Sequence, residues 1–185
     1  EGISAVLVDN VAVGRQATQH LLDLGHRRIA FFGSETEENR RFTVASDRQR
    51  GYHDALRAAG IEPDPELSFP TDLSINGGEA ALHRSVGRFG PSADRPTAVF
   101  AVSDEVAIGG LHAARLHQIQ VTKDMSFIGV DGHDFAYLFD LSTISQPVRD
   151  QGRIAARLLL QQVNDPGAGP TAVNVGCELI RRAST

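Results

Sequence analysis

The sequence predicts an α/β domain on a doubly wound, mostly parallel sheet. Three observations carry the prediction. Short β-branched or aromatic runs alternate with longer segments whose apolar residues recur three or four apart. Five such strand-and-helix units can be counted along the chain. Most of the strand-like runs are too continuously apolar for a sheet with one wet face, so helices must cover both.

The expected strands occupy residues 3–9, 28–33, 66–69, 97–102 and 126–130. Between the first two, Val13, Ala17, Leu21 and Leu24 form one helical stripe, closed by Gly25 where a left-handed cap belongs. The second helix is expected to open at Ser46, with Gln49 at capping-box spacing. It carries Tyr52, Leu56 and Ala59 inward and ends at Gly60. Leu82, Val86 and Phe89 mark the third. The fourth starts at Ser103, places Asp104 and Glu105 in a first turn that favours negative charge, and buries Ala107, Leu111 and Ala114.

After Val130 the alternation breaks into Asp131-Gly132-His133-Asp134 and the apolar run Phe135 to Phe139. A short extended piece over 142–145 ends at Gln146-Pro147. A helix over 149–163 carries Ile154, Ala155, Leu158 and Leu159 and stops at Asp165-Pro166-Gly167, before two short strands at 172–175 and 177–180. No internal repeat or low-complexity segment interrupts this order.

A chain of 185 residues, 41% hydrophobic and 22% charged, can bury roughly 70% of the surface it exposes when unfolded. Lys+Arg 18 against Asp+Glu 23 gives a net charge of -5, and the arginines are scattered, so no basic face for nucleic acid is visible. The single cysteine, Cys177, forms no internal disulfide, which fits a reducing cytoplasm. No apolar stretch approaches the roughly 20 residues of a spanning helix. The opening Glu1-Gly2-Ile3, without a start methionine, reads as the continuation of something upstream.

Signatures of catalysis are thin. There is no nucleophile elbow, no HExxH and no paired cysteines, and the seven histidines lie at spacings that give no metal cluster. His133 between Asp131 and Asp134 can be drawn as a base with its orienting acid, or as a polar turn after a strand.

In an open parallel sheet, ligands sit beyond the carboxyl ends of the strands. The residues just past those ends are Asp9, Asn10, Ser34, Thr71, Asp72, Ser103, Asp104 and Asp131, with Arg48 near the entry to the second helix. Several oxygen acceptors around one forked donor suit a ligand rich in hydroxyls, a polyol. Each residue also has a plainer role. Ser103 and Asp104 can simply cap a helix, Asp131 can begin a turn, Arg48 can be a solvated surface residue, and Gln146 can be extended because proline follows it.

Taken in order, the stretches His20 to Phe31, Arg48-Gln49-Arg50-Gly51-Tyr52, Pro96 to Ala101, Ser103-Asp104-Glu105, Ser126 to Asp131, Leu141 to Ile144 with Gln146-Pro147, and Leu179 to Thr185 resemble the effector-binding domain of LacI/GalR-type transcriptional repressors. That resemblance implies a periplasmic-binding-protein-like fold of two hinged lobes, normally preceded by a helix-turn-helix headpiece. It implies that residues 1–9 end an N-terminal lobe and residues 10–146 are a complete C-terminal lobe. Residues 147–175 would then return to the N-terminal lobe, and 176–185 would be a C-terminal strand. The chain is thus expected to be a fragment, and its helix over 149–163, lacking its own sheet, to pack non-natively, pair with a second copy or be covered by absent residues.

By the same resemblance the effector clamp falls on Arg48 and Asp131. Ser103 stands where many members have Asn, Gln146 is a hinge-side contact, and Leu73 stands near a position often held by a stacking aromatic. The unusual stretch from Glu35 to Val44 is expected to wall the pocket. A two-fold contact is expected from Ile108, His112, Phe135, Tyr137 and Leu138. The implied function is sensing a small effector, a sugar or related polyol in preference to a purine, without a cofactor, metal or catalysis. Operator DNA would be met only through the headpiece. A periplasmic or transport-linked sugar-binding protein and an α/β enzyme are the competing readings.

Overall fold

A computed structural model of the chain describes residues 3–34, 43–165, 167 and 169–185. Its elements, in chain order, are β1 (Ala5–Val8), α1 (Asn10–Asp23), β2 (Ile29–Ser34), α2 (Val44–Ala58), β3 (Ser68–Pro70), α3 (Ile75–Phe89), β4 (Ala98–Ala101), α4 (Asp104–Leu116), β5 (Ser126–Asp131), α5 (Asp134–Leu138), β6 (Ser142–Ser145), α6 (Val148–Asn164), β7 (Ala172–Val175) and β8 (Glu178–Ile180). They fall into two compact units, Glu1–Asp9 with Gln146–Glu178 and Asn10–Ser145 with Leu179–Thr185.

The larger unit is built on a sheet of strand order β3-β2-β4-β5-β6-β8. The ladders from β3 across to β6 are all parallel. From β2 the chain steps outward to β3, returns past β2 to β4, and then continues to β5 and β6. Right-handed crossovers therefore put α2 on one face and α3 and α4 on the other. The helices pack as two pairs, α1 with α2 and α3 with α4.

Burial on both faces explains the unbroken apolar runs. Every residue of β4 is inaccessible, as are Phe31, Phe32, Phe127 and Ile128. Rings fill the layers: Phe31 stacks on Tyr52 at 5.4 Å, and Phe32 meets Phe69 edge-on at 5.5 Å. Each such side chain contributes about 1.5–3 kcal/mol by leaving water. The buried Tyr52 hydroxyl donates to the Ile29 carbonyl at 2.7 Å, so the ring enters the core without an unmet polar atom.

The first expected strand forms as β1 and pairs in parallel with β7, register Ala5↔Ala172 to Val8↔Val175, within the smaller unit. Two expectations about the helices need correction. The second helix begins at Val44 rather than Ser46. Its N-cap Thr43 makes no side-chain cap, and the Ser46 hydroxyl bonds back to the Thr43 carbonyl at 2.9 Å, so no capping box forms. Leu24 lies past the end of α1 and is 50% exposed, because the chain turns at Gly25 (φ 92) before the stripe can complete. The apolar run after β5 is partly helical, as α5. The loop expected to wall the pocket, Glu35 to Val44, falls largely outside the described residues.

In the smaller unit α6 lies against β1 and buries none of its residues. Leu159, Leu160 and Val163 are all more than 60% exposed.

Candidate functional site

The site grows from the point where the winding direction reverses. The helices that follow β2 and β4 leave toward opposite faces, which opens a crevice between the ends of these neighbouring strands. Arg48, one turn into α2, spans it. Its side chain is almost wholly buried, its Nε–H donates to Asn10 Oδ1 at 3.0 Å, and its Nη1 donates to the carbonyl of Val102, just past β4.

The third arm of the guanidinium reaches Asp131, the last residue of β5. Nη2 stands 3.5 Å from Asp131 Oδ1, with side-chain exposures of 5% for the arginine and 40% for the aspartate. The cation is thus held by protein on its inner side, while the carboxylate it pairs with is partly exposed. A guanidinium and a carboxylate so disposed can grip neighbouring hydroxyls of one small molecule, the first as donor and the second as acceptor.

Ser103 joins this rim through its cap of α4: its Oγ accepts from the Val106 N–H at 3.3 Å. Capping uses the oxygen as acceptor and leaves the hydroxyl hydrogen to donate. Asp104, next in sequence, is fully buried, and its Oδ2 accepts from the His133 N–H at 2.7 Å. Burial pushes its carboxyl pKa up and the Asp131 charge adds to the rise, while the Thr143 hydroxyl and the His133 and Gly132 amides draw it down.

The other predicted residues separate. Leu73 follows β3 at the same strand-end rim and is 46% exposed. Gln146 belongs to the smaller unit and is partly buried. His133 is the N-cap of α5, its Nδ1 accepting from the Phe135 N–H at 3.1 Å; this is the turn role rather than that of a general base. Asp72 likewise serves a helix start, accepting from the Ser74 hydroxyl at 2.7 Å.

Of the five residues expected on a two-fold face, His112, Phe135, Tyr137 and Leu138 are exposed. Ile108 is only 4% exposed; α4 turns it into its own unit, so it offers almost no surface to a partner. A cavity of about 620 Å³ lined by Leu111, Arg115, Ile119 and Phe139 runs along the C-terminal half of α4 and contains none of the predicted effector residues.

Sequence reasoning placed Asn10 on the strand-end rim without seeing that it carries Arg48. The Val102 carbonyl, as backbone, left no signal at all. Among the described residues no group of three or more His, Cys, Asp or Glu is placed to hold a metal ion, and no helix is long and apolar enough to cross a membrane.

Comparisons with known proteins agree with this fold. Residues 18–185 match a family described as periplasmic binding protein-like domain. The HTH-type transcriptional repressor CytR of Escherichia coli (strain K12) is 34% identical over 185 residues, covering 99% of this chain and 52% of that protein. The HTH-type transcriptional regulator CelR of Thermobifida fusca is 33% identical over 186 residues, again 52% of its length. The chain thus spans about half the length of the curated relatives it matches. Among solved structures, the transcriptional regulator CelR–cellobiose complex matches with TM-score 0.89 and 32% identity, over 100% of this chain and 55% of that one. A LacI family transcriptional regulator from Enterococcus faecium with bound ribose matches with TM-score 0.83 and 30% identity, over 98% and 65%.

Proposed function

We propose, from the fact that the chain belongs to the periplasmic binding protein-like domain family in its LacI-type regulator branch, that it is the effector-sensing part of a bacterial transcriptional regulator. Its larger unit is the complete C-terminal lobe, and residues 1–9 and 147–175 are pieces of the N-terminal lobe. A sugar or related polyol held by Arg48, Asp131 and Ser103, with Gln146 and Leu73 contributing from the rim and hinge, favours one lobe arrangement over another. That differential affinity changes how a helix-turn-helix headpiece meets its operator.

The observation that carries the reading is the Arg48–Asp131 pair across the switch point, with the cation buried and the carboxylate partly exposed. The relatives are named as transcription regulators, which favours a sensor over an enzyme and over a transport-linked binding protein with the same clamp. A regulator that meets DNA works in the cytoplasm. The similar structures hold cellobiose and ribose, so these are the first effectors to try.

The test is calorimetric titration of the full-length protein with both sugars. Arg48→Ala should weaken the sugar that binds by about 1.5–3 kcal/mol, the range for losing a hydrogen bond to a charged group. Unchanged affinity removes Arg48 from the site. The exposed residues His112, Phe135 (50%), Tyr137 (71%) and Leu138 (69%) form a homodimer contact in this reading, since an apolar cluster of that kind gains by being covered. Light scattering should give twice the chain mass, and a monomer at high concentration rejects that contact.

A further inference from the structure

Asp104 is a buried acid to which the effector grip, taken as Arg48, Asp131 and Ser103, gives no part. It opens α4 with no exposure to solvent. Its Oδ2 accepts from the His133 N–H at 2.7 Å, and its Oδ1 makes no well-formed hydrogen bond, the Thr143 hydroxyl and Gly132 amide acting on the carboxylate only as weaker polar neighbours. Room for that oxygen has been cleared in the sheet: a Cβ on Gly129, in the middle of β5, would stand 2.3 Å from Asp104 Oδ1. Glycine inside a buried strand weakens it, and here the space admits an approaching carboxylate.

The donating end of the bond belongs to the turn that aims the clamp. Asp131 has φ 126 and Gly132 has φ 72. The first is a conformation that a non-glycine residue holds only at a cost of about 1–3 kcal/mol and only where its surroundings impose it. Two bonds fix the residues that follow: Gly132 N–H donates to Thr143 Oγ1 at 3.2 Å, and His133 N–H donates to Asp104. A charge at a helix start needs no such partner to match the helix dipole, so the His133 bond is a separate function of this side chain.

We propose that Asp104 is a positioning residue for the clamp: its carboxylate pins the Asp131–Gly132 turn through the His133 N–H and so sets where the Asp131 carboxylate meets Arg48. The inference rests on the reading of Arg48 and Asp131 as an effector clamp.

Amide hydrogen exchange on the 15N-labelled protein tests it. Asp104→Ala should speed exchange at His133 by about tenfold or more, the loss of one charge-assisted bond, while Phe100 and Ile128 in the core strands keep their protection. Asp104→Asn retains an acceptor and should hold His133 within about twofold of wild type. A uniform rise across the core, unchanged exchange at His133 in the alanine variant, or an asparagine variant that behaves like alanine overturns the proposal.

Should the alanine variant not fold, a scalar coupling across the hydrogen bond, between His133 15N and the Asp104 carboxyl 13C, decides in the wild-type protein. Its presence supports the proposal and its absence refutes it. Titration with cellobiose and ribose then separates the two levels of inference. If either sugar binds, its affinity should fall about tenfold in Asp104→Ala and be rescued in Asp104→Asn. If neither binds, the effector reading falls while the exchange result on the turn stands.

Discussion

Arg48 and Asp104 are both ionisable and buried beside one strand-end crevice, and the chain treats them in opposite ways. Removing a guanidinium from water costs several kcal/mol unless each face is met. Arg48 meets Asn10, the Val102 carbonyl and Asp131. Asp104 is left with an oxygen that makes no well-formed hydrogen bond, and burial raises its pKa above 3.8. The sign follows from linkage: a raised carboxyl favours the folded state fully below pH 3.8, and that advantage is lost as pH rises through the folded value. At neutral pH Asp104 therefore works against stability, which is the kind of cost found where a site needs a group held in place. Neither role was legible from residue type. With 17 arginines in the chain, the strand-end rule set Arg48 beside the rim but the family resemblance was needed to make it the clamp, and Asp104 after Ser103 reads as helix-start charge until its burial is seen.

At the level of elements, the same packing device appears in both helix pairs. A Cβ on Gly14 of α1 would fall 2.0 Å from the Arg48 carbonyl, and one on Gly51 of α2 would fall 2.1 Å from the Val11 carbonyl. In the other pair Gly78 faces the Val106 carbonyl at 2.0 Å and Gly109 the Ile75 carbonyl at 1.9 Å. Backbones in contact leave no flexible side chain to move aside. Gly14→Ala should therefore destabilise the protein by about 1–3 kcal/mol, the range for overpacking, even though alanine favours helix by about 1 kcal/mol. Because the clash is with the backbone of Arg48, sugar affinity should fall as well. Gly87→Ala, in α3 with nothing within 4 Å of the added carbon, should stabilise by about 1 kcal/mol. Urea unfolding of the two variants checks the pair, and equal effects of the same sign refute the backbone contact. The elements themselves were largely readable: α6 was expected at 149–163 and spans Val148–Asn164, and β7 was expected at the residues it occupies. Pairing was not. The run that became β1 looks like the other strands, and its ladder with β7 joins Ala5 to Ala172, a separation that local pattern does not register.

Over the whole molecule, histidines act as stitches between distant parts of the larger unit. His20 on α1 shares a hydrogen bond with Thr185 Oγ1 at 2.9 Å, and Thr185 Oγ1 meets Ser142 Oγ at 2.7 Å. This ties the C-terminal segment between α1 and β6. His26 joins Thr97 Oγ1 at 3.0 Å and Ser126 Oγ at 3.1 Å, bracing the starts of β4 and β5. Burial lowers the pKa of both rings, with the nearby Arg181 adding to the effect at His20, and it lowers His53 in the same way with Arg57. A histidine lowered in the fold contributes stability that is present above its ordinary value of 6.5 and is lost as pH falls through the lower folded value. Asp104, raised from 3.8, acts in the opposite direction, whereas the three rings act around their ordinary value of 6.5. The urea midpoint should therefore fall between pH 7.5 and pH 5.5. His26→Gln, which keeps a donor and an acceptor but cannot charge, should flatten the slope, whereas an equal slope in wild type and variant would show that His26 takes up its proton without strain in the folded state.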